Sequence, residues 1–124
     1  MSKKVDLDRL ADTLRDYGFA YVISVDDDYR AHTAAVTPVL NDGVLRIGTV
    51  GRHTRANTEA HRDVTVLWPP QTPGGYSLIV DGHAETIDPL TVRPTRAVLH
   101  RPATSDSPPS TCSPAYDCVN LTEV

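Results

Sequence analysis

Apolar and polar positions change their period along the chain, and each change marks an element. Leu7, Leu10, Ala11 and Leu14 recur at i, i+3, i+4 and i+7, with Asp8, Arg9, Asp12, Arg15 and Asp16 on the other face. That stripe predicts an amphipathic helix of about three turns. Acidic residues crowd its first turn, where they suit the positive end of the helix dipole, and Gly18 stops it. Over residues 19–25 the composition turns β-rich, and Asp26-Asp27-Asp28 follows as a turn. Residues 30–40 are expected to return as a strand, with Pro38 at an edge or a bulge because it cannot donate to a ladder. Asn41-Asp42-Gly43 makes the next turn and residues 44–50 a third strand, which completes an antiparallel meander.

Gly51-Arg52-His53 then leads into a short helix expected over residues 54–61, with Thr54 as its N-cap. Residues 64–68 read as a fourth strand, and the Pro/Gly run 69–75 as a connecting loop. A long fifth strand covers 76–87, with Gly82 marking a bulge or a close approach. A weaker sixth lies between Thr91 and Leu99, interrupted by Pro94. Nine of the ten prolines follow Leu67, so the second half is built from strands and loops. Strands at this spacing with two helices predict a mainly β (α+β) fold, a small closed or partly closed antiparallel barrel, with a sandwich as the competing architecture. The expected domain covers residues 1–101, and a Pro/Ser-rich tail covers 102–124.

Composition narrows the classes. In 124 residues, 40% hydrophobic and 23% charged, there is room for one core and no need of a disulfide scaffold. No apolar run approaches the roughly 20 residues of a membrane span. The N-terminal Met1-Ser2-Lys3-Lys4-Val5-Asp6 lacks the apolar centre of a signal peptide, so a cytoplasmic location is the expectation. A net charge of −4 argues against nucleic acid as a partner held by bulk electrostatics. Cys112 and Cys118 sit in the tail and are expected as thiols, with a disulfide as the alternative.

One segment reverses the charge. Residues 44–62 hold four arginines against one glutamate in an otherwise acidic chain. Within it, Gly48-Thr49-Val50-Gly51-Arg52-His53-Thr54-Arg55 runs from a strand end through a glycine turn into a helix N-terminus. Unpaired N–H groups at such a start, with the helix dipole, favour an anion. Arg52 and Arg55 add charge-assisted donors suited to phosphate, and Thr49 and Thr54 add hydroxyls. The bland alternative is an ordinary strand–turn–helix connection with solvated arginines; the turn matches no nucleotide fingerprint.

The order of elements, with Arg30-Ala31-His32-Thr33-Ala34-Ala35-Val36-Thr37, Leu45-Arg46-Ile47-Gly48-Thr49, Thr54-Arg55-Ala56-Asn57 and the residue 76–84 strand, resembles the pyridoxamine 5'-phosphate oxidase-like family. The likeness covers residues 5–88, about two-thirds of the chain. It implies a six-stranded antiparallel split barrel with an N-terminal helix and a short helix after the third strand. It further implies a homodimer with FMN, or a deazaflavin coenzyme, bound in grooves between subunits. Carried over position by position, Ala35, Val36 and Thr37 would line the flavin ring, and Thr49, Val50, Gly51, Arg52, Thr54 and Arg55 would hold the ribityl phosphate. The activity implied is that of an oxidoreductase on a small molecule. The C-terminal substrate residues of true pyridoxamine phosphate oxidases have no counterpart here, so vitamin B6 oxidation is not implied. A non-catalytic flavin or haem carrier and an empty dimeric scaffold are the alternatives.

Other constellations add little. His53 and His61 flank the second helix, while His32, His83 and His100 fall on separate elements, and no pair has the i, i+4 spacing of a helical metal site; no metal is expected. The Asp26-Asp27-Asp28 run lacks the alternate ligands and closing glutamate of a calcium loop, and no nucleophile elbow marks a hydrolase. Trp68 is expected to cap one end of the core, with an aromatic wall over a flat ligand as the alternative.

Overall fold

A computed structural model describes residues 2–103. The expected tail lies outside them from residue 104 onward, and with it Cys112 and Cys118. Eight strands form one antiparallel sheet: β1 Ser2–Val5, β2 Ala20–Val25, β3 Ala31–Val36, β4 Val39–Asn41, β5 Val44–Gly48, β6 Asp63–Trp68, β7 Ser77–Ile87 and β8 Leu90–His100. Two helices interrupt them, α1 Leu10–Leu14 and α2 Arg52–Ala60. The strand order β3-β2-β6-β7-β8-β5-β4 leaves β3 and β4 as the two ends, with β1 added to β8. Those ends are consecutive in the chain, so Thr37 and Pro38 close the sheet covalently where no ladder closes it. This is the split barrel.

Strict alternation makes the core. Val22 faces Val66, Val66 faces Val80, and Val80 faces Ala97, each within 1% of full burial. Ala34 of β3 and Val5 of β1 extend this inward row at its two ends. Each such valine contributes on the order of 1.5–3 kcal/mol through the apolar area it removes from water. Trp68, 1% exposed, packs among them with Leu10 and Leu45, which settles it as a core residue.

The strand count exceeds the six expected for two reasons. The 30–40 segment breaks at Pro38, whose missing N–H ends one pairing and starts another, so one expected strand is two. β1 escaped notice because Ser-Lys-Lys-Val is short and charged; it pairs Lys3 with Leu99 and Val5 with Ala97. The sixth strand runs unbroken past Pro94, because the register shifts there and the proline sits where no N–H is required.

Both helices differ from expectation. The first is a 3₁₀ turn over Leu7–Arg9 followed by only five α-helical residues. So short a helix has little stability of its own, and packing decides its length. Leu10 is 1% exposed and Leu14 is half-buried, but Leu7 stays 40% exposed and draws no helix around it. Just beyond α1, the Tyr17 hydroxyl donates to the Tyr76 carbonyl at 2.9 Å. Burial, helped by the Asp16 carboxylate, raises the Tyr17 phenol above its usual range and keeps it a donor. The second helix begins two residues before Thr54, with Gly51 as its N-cap. Among the described residues no helix is long and apolar enough to cross a membrane.

Candidate functional site

The basic turn leaves β5 at Gly48, where φ is 92°, a value glycine adopts without strain, and enters α2 at Arg52. Gly51 is extended, and no side chain caps the helix. Arg55 N–H donates to Gly51 C=O at 3.0 Å and closes the first turn. The preceding donors of Arg52, His53 and Thr54 are the orphans every helix start carries. Four arginines elsewhere are ion-paired: Arg9 and Arg15 with Asp12, Arg93 with Glu85, Arg96 with Asp81. Among the described residues no ion pair engages Arg46, Arg52 or Arg55. Among the described residues, the charge on this turn has no ion-pair partner.

Of the nine residues singled out by sequence, the structure groups some and removes others. Thr49, Gly51 and Arg52 are exposed and Arg55 is half-buried, all on one turn. Val50 is 7% exposed and belongs to the core, so only its backbone is on offer. Thr54 is 1% exposed on the helix face packed to the sheet, and the N-cap role expected for it falls to Gly51. The error was one of register: with the helix starting at Arg52, position 54 turns inward.

On β3, Ala35 is exposed and Val36 turns inward opposite Ala20, and Thr37, just past the strand, is exposed. β3 has a free edge and small residues, so a flat group can approach its backbone closely. The start of α2 meets the start of β3, where the His53 and His32 rings lie 5.5 Å apart. Ala35 stands three residues further along β3, about 10 Å at the strand rise. By alternation His32 shares the inward face of Ala34 and Val36 while Ala35 points outward, so the basic turn and Ala35 approach one strand from opposite faces. A cleft of about 600 Å³ lies elsewhere, lined by β1, the turn at Asp6 and Leu7, and β8.

Sequence reasoning missed what holds α2 in place. His53 and Asn57 are spaced i, i+4 on one face of the helix, and His61 follows as its extended C-cap. His53 meets His32, Asn57 Nδ2 donates to Ser24 Oγ at 3.2 Å, and His61 Nε2 lies 2.7 Å from Asp27 Oδ1. The signal was present in the spacing but required the correct helix start. The aspartate turn is a hairpin: Asp26 Oδ1 accepts from the Asp28 and Arg30 amides at 2.8 and 3.0 Å.

No protein-family model matches the chain. Two mycobacterial proteins, one from Mycobacterium bovis and one from Mycobacterium tuberculosis, both described as uncharacterized, are 47% identical to it over 135 aligned positions, covering 95% of each chain. Among solved structures, a putative pyridoxamine 5'-phosphate oxidase from Listeria innocua superposes with a TM-score of 0.60 at 16% identity, over 75% of this chain and 96% of that one. An FAD-binding protein from Mycobacterium smegmatis gives 0.58 at 16% identity, over 82% and 100%. An F420 reductase gives 0.57 at 19% identity, over 69% and 94%. The chain belongs to one family with the two mycobacterial proteins, and its fold is the split barrel of the pyridoxamine 5'-phosphate oxidase-like proteins.

Proposed function

We propose that this protein binds FMN, or a deazaflavin coenzyme, and works as a cytoplasmic oxidoreductase on a small molecule. The observation that carries the reading is the uncapped start of α2, flanked by Arg52 and Arg55 without carboxylate partners, beside the free small-residue edge of β3. The residues present fit the group. Orphan N–H donors and two guanidinium groups suit a phosphate, and Ala35 and Thr37 leave room for a flat ring. A bound flavin would supply hydride chemistry; the chain's own part is to bind, orient and shield it. Thr49, Gly51, Arg52 and Arg55 would hold the anionic end, with Val50 through its backbone, while Val36 and Thr54 would support their neighbours from the inner side. The fold likeness to an FAD-binding protein and an F420 reductase supports a flavin-type ligand.

A homodimer is part of the proposal. In one chain Ala35, Thr37, Thr49, Gly51 and Arg52 lie open to solvent, and a second copy would wall the groove. Titration of FMN against the purified protein, followed by quenching of flavin fluorescence, tests the reading. Replacing Arg55 with Ala is expected to weaken binding by about 1.5–3 kcal/mol, the range for a hydrogen bond to a charged group. Equal dissociation constants for the two proteins remove Arg55 from the site, and no quenching with either cofactor overturns the reading. Bleaching of the bound flavin by a reduced nicotinamide separates an enzyme from a carrier.

A further inference from the structure

One edge of β8 is interrupted. β7 pairs along the whole of the other edge. On the interrupted one, β5 joins at residues 90–92 and β1 at residues 97–100. Among the described residues no strand pairs with 93–96 on that side, because the chain leaves β1 at Val5 and passes into the 3₁₀ turn Leu7–Arg9. The cleft of about 600 Å³ opens at this interruption. Its volume falls in the range of ligand clefts, roughly 300–1,000 Å³.

The lining is apolar with a cationic rim. Leu7 stays 40% exposed there, and Val98, set between Ile79 and Lys4 in the register, is 7% exposed. Lys4 and Arg96 stand against one carboxylate of the lining, Asp6. Arg96 leans on Asp81 at 3.4 Å, while Lys4 has no ion pair among the described residues.

The chain continues past residue 103 from beside this cleft, since Ser2 lines it and pairs with His100. The sequence of 104–124 divides in two. Residues 104–115 are Pro, Ser and Thr apart from Asp106, Cys112 and Ala115. Residues 116–124 bring Tyr116, Val119, Leu121 and Val124 together with Asp117 and Glu123, and neither half holds a Lys or Arg. Twelve residues span about 20 Å as a flexible coil and about 40 Å as an extended polyproline segment. The cleft residues 95–98 lie two to five positions back along β8, about 7–17 Å at the strand rise. The first half therefore reaches the cleft in either regime, and so short a tether gives the second half an effective concentration of about 1 mM there. A second copy at micromolar concentration competes at a disadvantage.

We propose that residues 116–124 dock in the β1–β8 cleft of their own chain, with Val119 and Leu121 covering Leu7 and Val98, and Asp117 and Glu123 beside Lys4 and Arg96. Apolar side chains cover an apolar lining that otherwise faces water, and a segment carrying only negative charge meets a rim with an unpaired lysine. No cofactor enters this contact, so it stands or falls apart from the function proposed above.

The chain's only two cysteines report on it, Cys112 in the first half and Cys118 in the second. In the reduced full-length protein, alkylation of Cys118 by iodoacetamide is expected to be about tenfold slower than that of Cys112, after scaling to their ratio in urea. An effective concentration of about 1 mM against a dissociation constant of about 0.1 mM gives that factor. Leu121→Asp, and Leu7→Asp at its exposed position, should each return the ratio to its urea value, and Lys4→Glu should move it the same way. Arg52→Glu, on the basic turn, should leave it unchanged. Equal reactivity of the two thiols in native buffer overturns the proposal, as does protection that both aspartate variants leave in place. Protection removed by Arg52→Glu would put the segment on the basic turn instead, and protection that fades on dilution would put it on a second copy; either result overturns the proposal as well.

Discussion

Gly82 on β7 stands opposite Pro94 on β8 in the register of the sheet, and the space above it is already filled. A Cβ at position 82 would lie 2.5 Å from Val92 Cγ1 and 2.7 Å from the Arg93 carbonyl oxygen. The bulge that admits Pro94 brings the β8 backbone onto β7 at this point, and only glycine leaves room for it. Gly82→Ala must push the two longest strands apart. It is expected to destabilise the fold by about 1–3 kcal/mol, the range for overpacking a well-packed core. Thermal unfolding followed by circular dichroism checks this; a midpoint equal to wild type would mean that β8 yields freely.

The same pair shows how far the sequence could be read. Gly82 and Pro94 each announced an irregularity, and each was placed on the right strand, but nothing local said that they face one another. Pairing is a long-range property. β-rich runs bounded by turn residues located the strands that carry Val22, Val66 and Val80, while which faces turn inward came only with the pairing. β1 was invisible since its partner, β8, supplies the reason for it to be a strand at all. At the candidate site, the charge reversal found the basic turn. It missed the two-residue offset that buries Thr54 and sets His53 and Asn57 on one face, because Gly51 rather than a hydroxyl caps the helix.

Trp68 is the chain's only tryptophan and is 1% exposed within the core cluster, at the end of β6. Its emission is expected to be blue-shifted in the folded protein and to move to the red in a single transition with denaturant. Trp68→Ala should cost about 3–5 kcal/mol, whereas Trp68→Phe, which keeps most of the ring, should cost less. Urea titrations of both variants, read by far-ultraviolet circular dichroism, give the comparison. An alanine variant as stable as the wild type would place the ring outside the core.

Asp26 holds the β2–β3 turn by accepting from two backbone amides, first from Arg30 and then from Asp28. The Arg30 amide bond is the larger cause that lowers its carboxyl below the ordinary value, with the Asp28 amide and the charge of Arg30 assisting. A depressed folded value stabilises the charged form. The contribution is complete above the unfolded carboxylate value of about 3.9 and is lost as pH falls through the lower folded one. Asp26 should therefore titrate below the ordinary aspartate value when the carbon chemical shift of its side-chain carboxyl is followed by NMR. Asp26→Ala should flatten the acid limb of the stability profile, and an Asp26 midpoint at or above the ordinary aspartate value would contradict the assignment.

Directly opposite partners share a face, so Ala35, Tyr21, Leu67 and Ile79 form one row across the outside of the sheet. Tyr21 is 37% exposed, and Phe19, packed edge-on against it at 5.3 Å, is 47% exposed. Leu67 and Ile79 are half-buried in the same row. A contiguous apolar band of this kind on the outer face is the surface a second copy would cover, and Ala35 places it beside the proposed ring site. The protein is expected to elute at close to twice 13.5 kDa by light scattering. Leu67→Asp would bury a carboxylate at the centre of that contact, a cost of several kcal/mol, and should give a folded monomer. If a flavin groove is shared, the monomer should also lose FMN binding although Arg52 and Arg55 are untouched. A wild-type monomer removes the homodimer, and a Leu67→Asp dimer moves the contact to another face.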